Sequence, residues 1–190
     1  MKIYLLDINP LMVRKGNYYF KDVADVKVVC ADFKDFMNKV DVECIVSPAN
    51  SYGLMDGGYD LAITKYFGTS LMKNVQKYII DNYFGEQLVG TSFIIDIPKT
   101  NKKLIHTPSM RTPSVIKDPM VVYYCMRSAL MEAIKNNIST IVIPAFGGAC
   151  GEVDYDIIAM MMKEAYDQIN NPPKKIDWQY ASRHSLEDIE

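Results

Sequence analysis

Two glycine-bearing loops constrain this chain more than any other feature, because each is preceded by an apolar run and followed by a helical pattern. The first lies within residues 44–67, CIVSPANSYGLMDGGYDLAITKYF. Cys44, Ile45 and Val46 form an apolar run, Ser47-Pro48-Ala49-Asn50 ends it, Gly53, Gly57 and Gly58 follow, and an apolar helix-like segment opens at Asp60. The second is PAFGGACG at 144–151, between the apolar run 140–143 and a helical pattern at 154–169. A strand, a loop and a helix start bring backbone N–H groups and the positive end of a helix to one point, which suits an anion, most often a phosphate. In open α/β sheets ligands bind outside the carboxyl ends of the strands, so both loops can face one crevice. Neither loop is GxGxxG, and the P-loop lysine is absent, which disfavours a Rossmann dehydrogenase and an NTPase. Turn-making alone is the plainer reading of one such loop; two of them, one bracketed by Asn50 and Asp60, favour a phosphate-bearing ligand.

The rest of the chain supplies a frame for these loops. Runs at 2–6, 26–30, 42–47, 88–95, 103–107, 140–143 and 176–181 read as strands. Helical spacing covers 10–19, 70–82, 119–136 and 154–169, and Asp32 is placed to cap a short helical turn through Met37. Asn9-Pro10 reads as an N-cap with proline at the first helical position. Residues 108–119 hold three prolines and Arg111, and are expected to form a surface loop near the site. Alternating strands and helices imply an α/β sheet covered on both faces. The 190 residues show no repeat and no linker-like shift in composition, so one domain with a polar tail at 183–190 is expected.

Charge and cysteine usage exclude other classes. A formal net charge of -2 gives no electrostatic reason for a nucleic-acid partner. No run approaches the ~18 apolar residues of a membrane span, and the N-terminal apolar stretch meets Asp7 too soon for a signal peptide. Cys30, Cys44, Cys125 and Cys150 have no CxxC spacing and read as reduced thiols, so a cytoplasmic location is expected. Two histidines and scattered cysteines make no ligand pattern; neither a metal nor a cofactor is expected.

Within the first loop, Asn50 and Asp60 are the polar groups best placed to act on a ligand. On position alone, Asn50 is a turn residue and Asp60 an N-cap. As a helix-opening residue, Asp60 is expected to stay ionised, which suits a base. His106 reads as a hydrogen-bonded structural histidine at a strand end. Cys150 is a minor nucleophile candidate without an identifiable partner, and Arg111 divides evenly between phosphate and solvent.

These residues resemble the macrodomain family. IVSPANSYGLMDGGYD is similar to its signature of a strand, an Asn-Ala-Ala-Asn-like turn and a glycine loop ending in Val-Asp, and PAFGGACGEVDYDIIAMMMKEAY to its second glycine-loop signature. Ala31-Asp32-Phe33 falls where macrodomains have Gly-Asp-Ile, and LIHTPSMRTP resembles a strand-and-loop piece of some bacterial and phage members. The resemblance spans about residues 26–170 and implies a three-layer α/β/α fold with a mixed central sheet. It implies that Asp32 accepts from the adenine amino group, that the Phe33 N–H reads the ring edge, and that Asn50 holds the distal ribose. Asp60 would orient or activate water at the ribose C1″. Gly57 and Gly58, with Gly147, Gly148, Ala149, Cys150 and Gly151, would donate N–H groups to the diphosphate, with Ala49, Asp56 and Tyr59 also against the ligand. The function implied is ADP-ribose binding with hydrolysis of ADP-ribosyl bonds, the partner being ADP-ribose or an ADP-ribosylated substrate. The alternatives are a non-catalytic module for ADP-ribose or a related nucleotide signal, and an ADP-ribose 1″-phosphate phosphatase. Leu54-Met55-Asp56 stands where hydrolytic members carry glycines, and Cys150 at or near the place of a loop aromatic; both departures bear on turnover more than on binding.

Overall fold

A computed structural model of the chain describes residues 1–182; the expected polar tail at 183–190, with His184, lies outside the described residues. The strands are β1 (Lys2–Asp7), β2 (Val26–Cys30), β3 (Cys44–Ser47), β4 (Phe93–Asp96), β5 (Lys103–His106) and β6 (Thr140–Pro144). The helices are α1 (Pro10–Phe20), α2 (Phe33–Lys39), α3 (Gly58–Phe67), α4 (Thr69–Tyr83), α5 (Met120–Lys135), α6 (Tyr155–Asn170) and α7 (Trp178–Ala181). One six-stranded sheet runs β2-β1-β6-β3-β5-β4. All its pairings are parallel except β4 with β5, so the sheet is mixed.

Strand alternation explains the three layers. In β1, Ile3 and Leu5 join one apolar cluster and Tyr4 and Leu6 the other. The first cluster holds Cys44, Val46, Ile105, Ile141 and Ile143 against Met12 of α1, Val122 and Met126 of α5 and Ile158 and Met162 of α6. The second holds Ile45, Leu104, Val142 and Phe93 against Phe36 of α2, Ile63 of α3 and Leu71 and Val75 of α4. β3 is buried at all four positions, as a central parallel strand between two helical layers must be. Local signals set the helix starts: Asn9 Oδ1 accepts from Leu11 N at 2.9 Å with Pro10 at the first helical position, and Asp32 Oδ1 accepts from Asp35 N at 2.8 Å. Gly16 interrupts the pattern of α1 because a Cβ there would stand 3.0 Å from Val28.

Three expectations differ from the structure. The run at 88–95 is a strand only over Phe93–Asp96. Leu88 is 71% exposed, Gly90 has φ +79°, and Thr91 Oγ1 donates to Leu88 O at 2.7 Å, so a local turn takes the first half of the run. The run at 176–181 is not a strand but ends in the helical turn α7, because Asp177 Oδ1 accepts from Tyr180 N at 2.9 Å. Trp178 there is 89% exposed. Finally, α3 begins at Gly58 with Gly57 as its extended N-cap, so Asp60 lies inside the first turn rather than opening the helix.

Candidate functional site

The parallel strands send their carboxyl ends to one edge of the sheet, and the two glycine loops leave β3 and β6 at that edge. Met110 joins them. It pairs with Asn50 in an isolated parallel bridge, and its Sδ lies 3.6 Å from Cys150 Sγ. Ser51 N donates to Met110 O at 3.1 Å and to Arg111 O at 3.2 Å, so the proline-rich segment after β5 is stitched to the first loop.

Asn50 is spent largely on its own loop. Its Oδ1 accepts from Tyr52 N at 3.1 Å and Leu54 N at 3.2 Å, and its Nδ2 donates to Leu54 O at 2.8 Å. The side chain is 9% exposed. Ala49 is buried and held by Thr107 O at 3.1 Å. Met55 is fully buried, its carbonyl accepting from Thr64 Oγ1 at 2.9 Å, while Leu54, Asp56, Gly57 and Gly58 are exposed. The first N–H groups of α3 have no intrahelical acceptor, and Gly57 supplies no side-chain cap. That leaves donors and a helix dipole at the glycines, an arrangement that suits an anion. Gly57 has no atom within 4 Å of where a Cβ would stand, so the space over it is open.

Asp60 lies in the first turn of α3, 7% exposed. Ser47 Oγ, at the end of β3, donates to Asp60 Oδ1 at 2.6 Å. Burial pushes the Asp60 carboxyl up to about 7, against the lowering pull of Ser47 and with a further push from Asp56. The expectation that Asp60 tends to stay ionised is thereby corrected: inside the first turn of α3, desolvation outweighs the helix dipole. A carboxyl poised near neutrality can both take and return a proton.

The adenine end expected from the sequence is less open. Asp32 is exposed but caps α2, and Phe33 is buried, edge-on to Tyr59 at 5.3 Å between ring centroids. Tyr59 Oη is buried without a hydrogen-bond partner among the described residues, and burial, then Asp60 and Asp7, hold its hydroxyl protonated.

The second loop is shaped by its glycines. Gly147 has φ +81°, and a Cβ on Gly151 would stand 2.6 Å from Gly147 O. Val153 N donates to Gly147 O at 3.1 Å, Glu152 N to Ala149 O at 3.1 Å, and Ile116 N to Gly151 O at 2.9 Å. Gly147 and Gly151 are buried, Gly148 half-buried, Ala149 and Cys150 exposed. The loop leads into α6 through Asp154, which caps it, and Tyr155 Oη accepts from Asn9 Nδ2 at 2.7 Å.

Sequence reasoning passed over several neighbours. Ser47 is one, although a polar residue ending the apolar run 44–46 was a visible signal. Another is a rim cluster: Arg111 reaches Glu86 through Nε and a second nitrogen, at 2.5 and 3.1 Å, and lies over the Tyr52 ring, while Tyr52 Oη donates to Glu86 at 3.1 Å. Arg111 is thus paired within the chain. His106, expected to be structural and hydrogen-bonded, is fully buried with Nδ1 2.7 Å from Gln87 Oε1. Among the described residues, no group of three or more His, Cys, Asp or Glu could hold a metal ion, and no helix is long and apolar enough to cross a membrane.

Known proteins supply the family. The Macro domain model matches residues 46–162. An uncharacterised protein of Aquifex aeolicus (strain VF5) is 32% identical over 142 residues, 74% of this chain and 79% of that one. The macrodomain of Mycobacterium tuberculosis DarG superposes with TM-score 0.59 at 19% identity, covering 69% of this chain and 85% of that one. A glycine-to-valine variant of the Oceanobacillus iheyensis macrodomain, solved with ADPR, superposes with TM-score 0.60 at 22% identity, covering 70% and 73%. With the strand–glycine loop–helix units at one sheet edge and a family match over both glycine loops, this chain belongs to the macrodomain family.

Proposed function

We propose that the chain binds ADP-ribose across the two glycine loops and hydrolyses ADP-ribosyl bonds, with Asp60 as the base that orients and activates water at the ribose C1″. The observation that carries the proposal is the buried Asp60 carboxyl, tied to Ser47 at 2.6 Å and raised to about 7, in the first turn of α3 just after the exposed Gly57 and Gly58. Cleaving a glycosidic bond through an oxocarbenium-like state needs a positioned water and a nearby carboxylate. Gly57, Gly58, Gly148, Ala149 and Cys150 take the diphosphate on backbone N–H groups, and Asp32 and the Phe33 N–H face the adenine. Supporting this assignment, solved variants of the Oceanobacillus iheyensis macrodomain alter an asparagine, a glycine and an aspartate with the spacing that Asn50, Gly57 and Asp60 have here. Asn50 acts chiefly by bracing the loop, with one amide hydrogen left for the ribose.

A second reading, capture without turnover, is favoured by Leu54 and Asp56, which stand exposed at the loop beside the expected ribose. Calorimetric titration with ADP-ribose, followed by an assay of release from mono-ADP-ribosylated protein, separates the two. Binding with release supports the hydrolase, binding without release selects the capture module, and neither heat nor release overturns both.

A further inference from the structure

The sheet order gives the crevice a direction. Asp32 and Phe33 follow β2, the second glycine loop follows β6, the first follows β3, and the proline-rich segment 108–119 follows β5, all at the carboxyl edge. A ligand with its adenine at Asp32 and its diphosphate over the loops therefore points its far ribose at the segment behind β5. That segment is pinned at both ends. Thr107 N donates to Ser47 O and Ser109 N to Ala49 O, each at 3.0 Å, so the pairing of β3 with β5 runs on past the strands to the bridge between Asn50 and Met110. At the other end Ile116 N donates to Gly151 O at 2.9 Å. Ile116 Cδ1 stands 2.8 Å from where a Cβ on Gly147 or on Gly151 would be, so a side chain at either glycine would displace it. Between the pins, residues 111–115 are exposed.

Met110 is where this segment meets the second loop. The Cys150 thiol donates to Met110 Sδ at 3.6 Å, a contact that runs from one glycine loop to the chain stitched to the other. The Met110 main chain is fixed by its bridge to Asn50 and by Ser51 N at 3.1 Å. Its side chain is not fixed in the same way, because methionine has three rotatable bonds and a thioether is a weak acceptor. The contact can therefore part by side-chain rotation while both loops stay in place.

We propose that Met110 and Cys150 form the end wall of the crevice and set what can be attached to the far ribose. Free ADP-ribose fits with the wall closed, whereas ADP-ribose carried on a polypeptide enters only when the two sulfurs part. The inference rests on the ADP-ribose-binding reading of the crevice and deepens it by naming the group that screens the acceptor. The bridge from Met110 to Asn50 brings the wall to the residue expected at that ribose. The structure shows the wall closed. A polypeptide-linked ligand then binds only the open fraction, and its apparent affinity is reduced by that fraction. Free ADP-ribose makes no such demand. Met110 is thus a specificity-determining residue and takes no part in bond cleavage.

The test measures binding in an Asp60→Asn background, which holds turnover down during the titration, with free ADP-ribose and a mono-ADP-ribosylated peptide as the two probes. Met110→Ala should tighten the peptide-linked probe at least about threefold and leave free ADP-ribose within about twofold. Met110→Ser should act as Met110→Ala does, and Met110→Leu, which keeps the bulk, should bind both probes as the parent does. A second measurement needs no ADP-ribose. In a Cys30→Ser protein Cys150 is the remaining exposed thiol, since Cys44 and Cys125 are buried. Its alkylation by iodoacetamide should run faster by about threefold or more once Met110→Ala removes the contact. Equal changes for the two probes, no change in either, or an unchanged alkylation rate overturns the wall. Free ADP-ribose binding with Met110→Ala indistinguishable from its parent defeats the wall alone and leaves the crevice standing. Failure of free ADP-ribose to bind at all defeats the reading of the crevice, and the wall falls with it.

Discussion

Ser47 closes the central strand β3 by donating its hydroxyl to Asp60 of α3 across 2.6 Å, with Ser47 fully buried and Asp60 nearly so. A helix-borne carboxyl is thereby locked to the sheet at the point where the first glycine loop opens. Its environment raises the carboxyl to about 7, and the consequences can be measured.

The first concerns stability against pH. An aspartate raised from 3.8 to about 7 binds more protons folded than unfolded, so its contribution falls as pH rises through that window. His106, lowered from 6.5 to about 3, works in the opposite sense: its contribution is present above 6.5 and lost as pH falls toward about 3. Between about pH 4 and about pH 6.5 the two slopes oppose each other. Asp60→Asn should therefore steepen the loss of stability on acidification in that interval, relative to wild type. At about pH 8, where Asp60 is ionised in both states, the same variant should be more stable than wild type by about 2 kcal/mol or more. Urea midpoints across the range check both signs; a variant that tracks wild type at every pH contradicts the raised carboxyl.

The second concerns Asn50. Because its side chain makes three hydrogen bonds within the loop, Asn50→Ala should cost about 1–3 kcal/mol without any ligand present. Thermal unfolding of the free protein reads this directly. An unchanged midpoint would mean that the loop is braced by other contacts and that Asn50 serves the ligand alone.

The third contrasts two glycines. Gly57 has open space at its Cβ position and an ordinary backbone conformation, whereas a Cβ on Gly151 would meet a backbone oxygen. Gly57→Val, at an exposed N-cap with room for the side chain, should cost at most about 1 kcal/mol. Gly151→Ala should lower stability itself. Equal loss of stability in the two variants contradicts the open space over Gly57.

These outcomes also show how far the residue order could be read. The two glycine loops, the caps at Asn9 and Asp32, and the layered arrangement were legible because each follows from local spacing and apolar periodicity. The end of the sheet was not. Leu88–Thr91 has the composition of a strand but folds as a turn around Gly90, and Asp177 caps a helical turn where Ile176 and Trp178 favoured extension. Asp60 stood out as a polar group bracketing the first glycine loop, yet its protonation could not be read. That property comes from burial under a loop and from Ser47, thirteen residues earlier in sequence. His106 and Gln87 likewise meet only through the pairing of β5 with its neighbours.

The most direct measurement is release of ADP-ribose from a mono-ADP-ribosylated protein by wild type and Asp60→Asn, each shown by calorimetry to bind ADP-ribose. Hydrolysis by Asp60 predicts that the variant binds as wild type does and releases at least 10²-fold more slowly, on the order expected for losing a general base. Equal release by the two proteins would contradict the assignment of Asp60 and leave the pocket without its base.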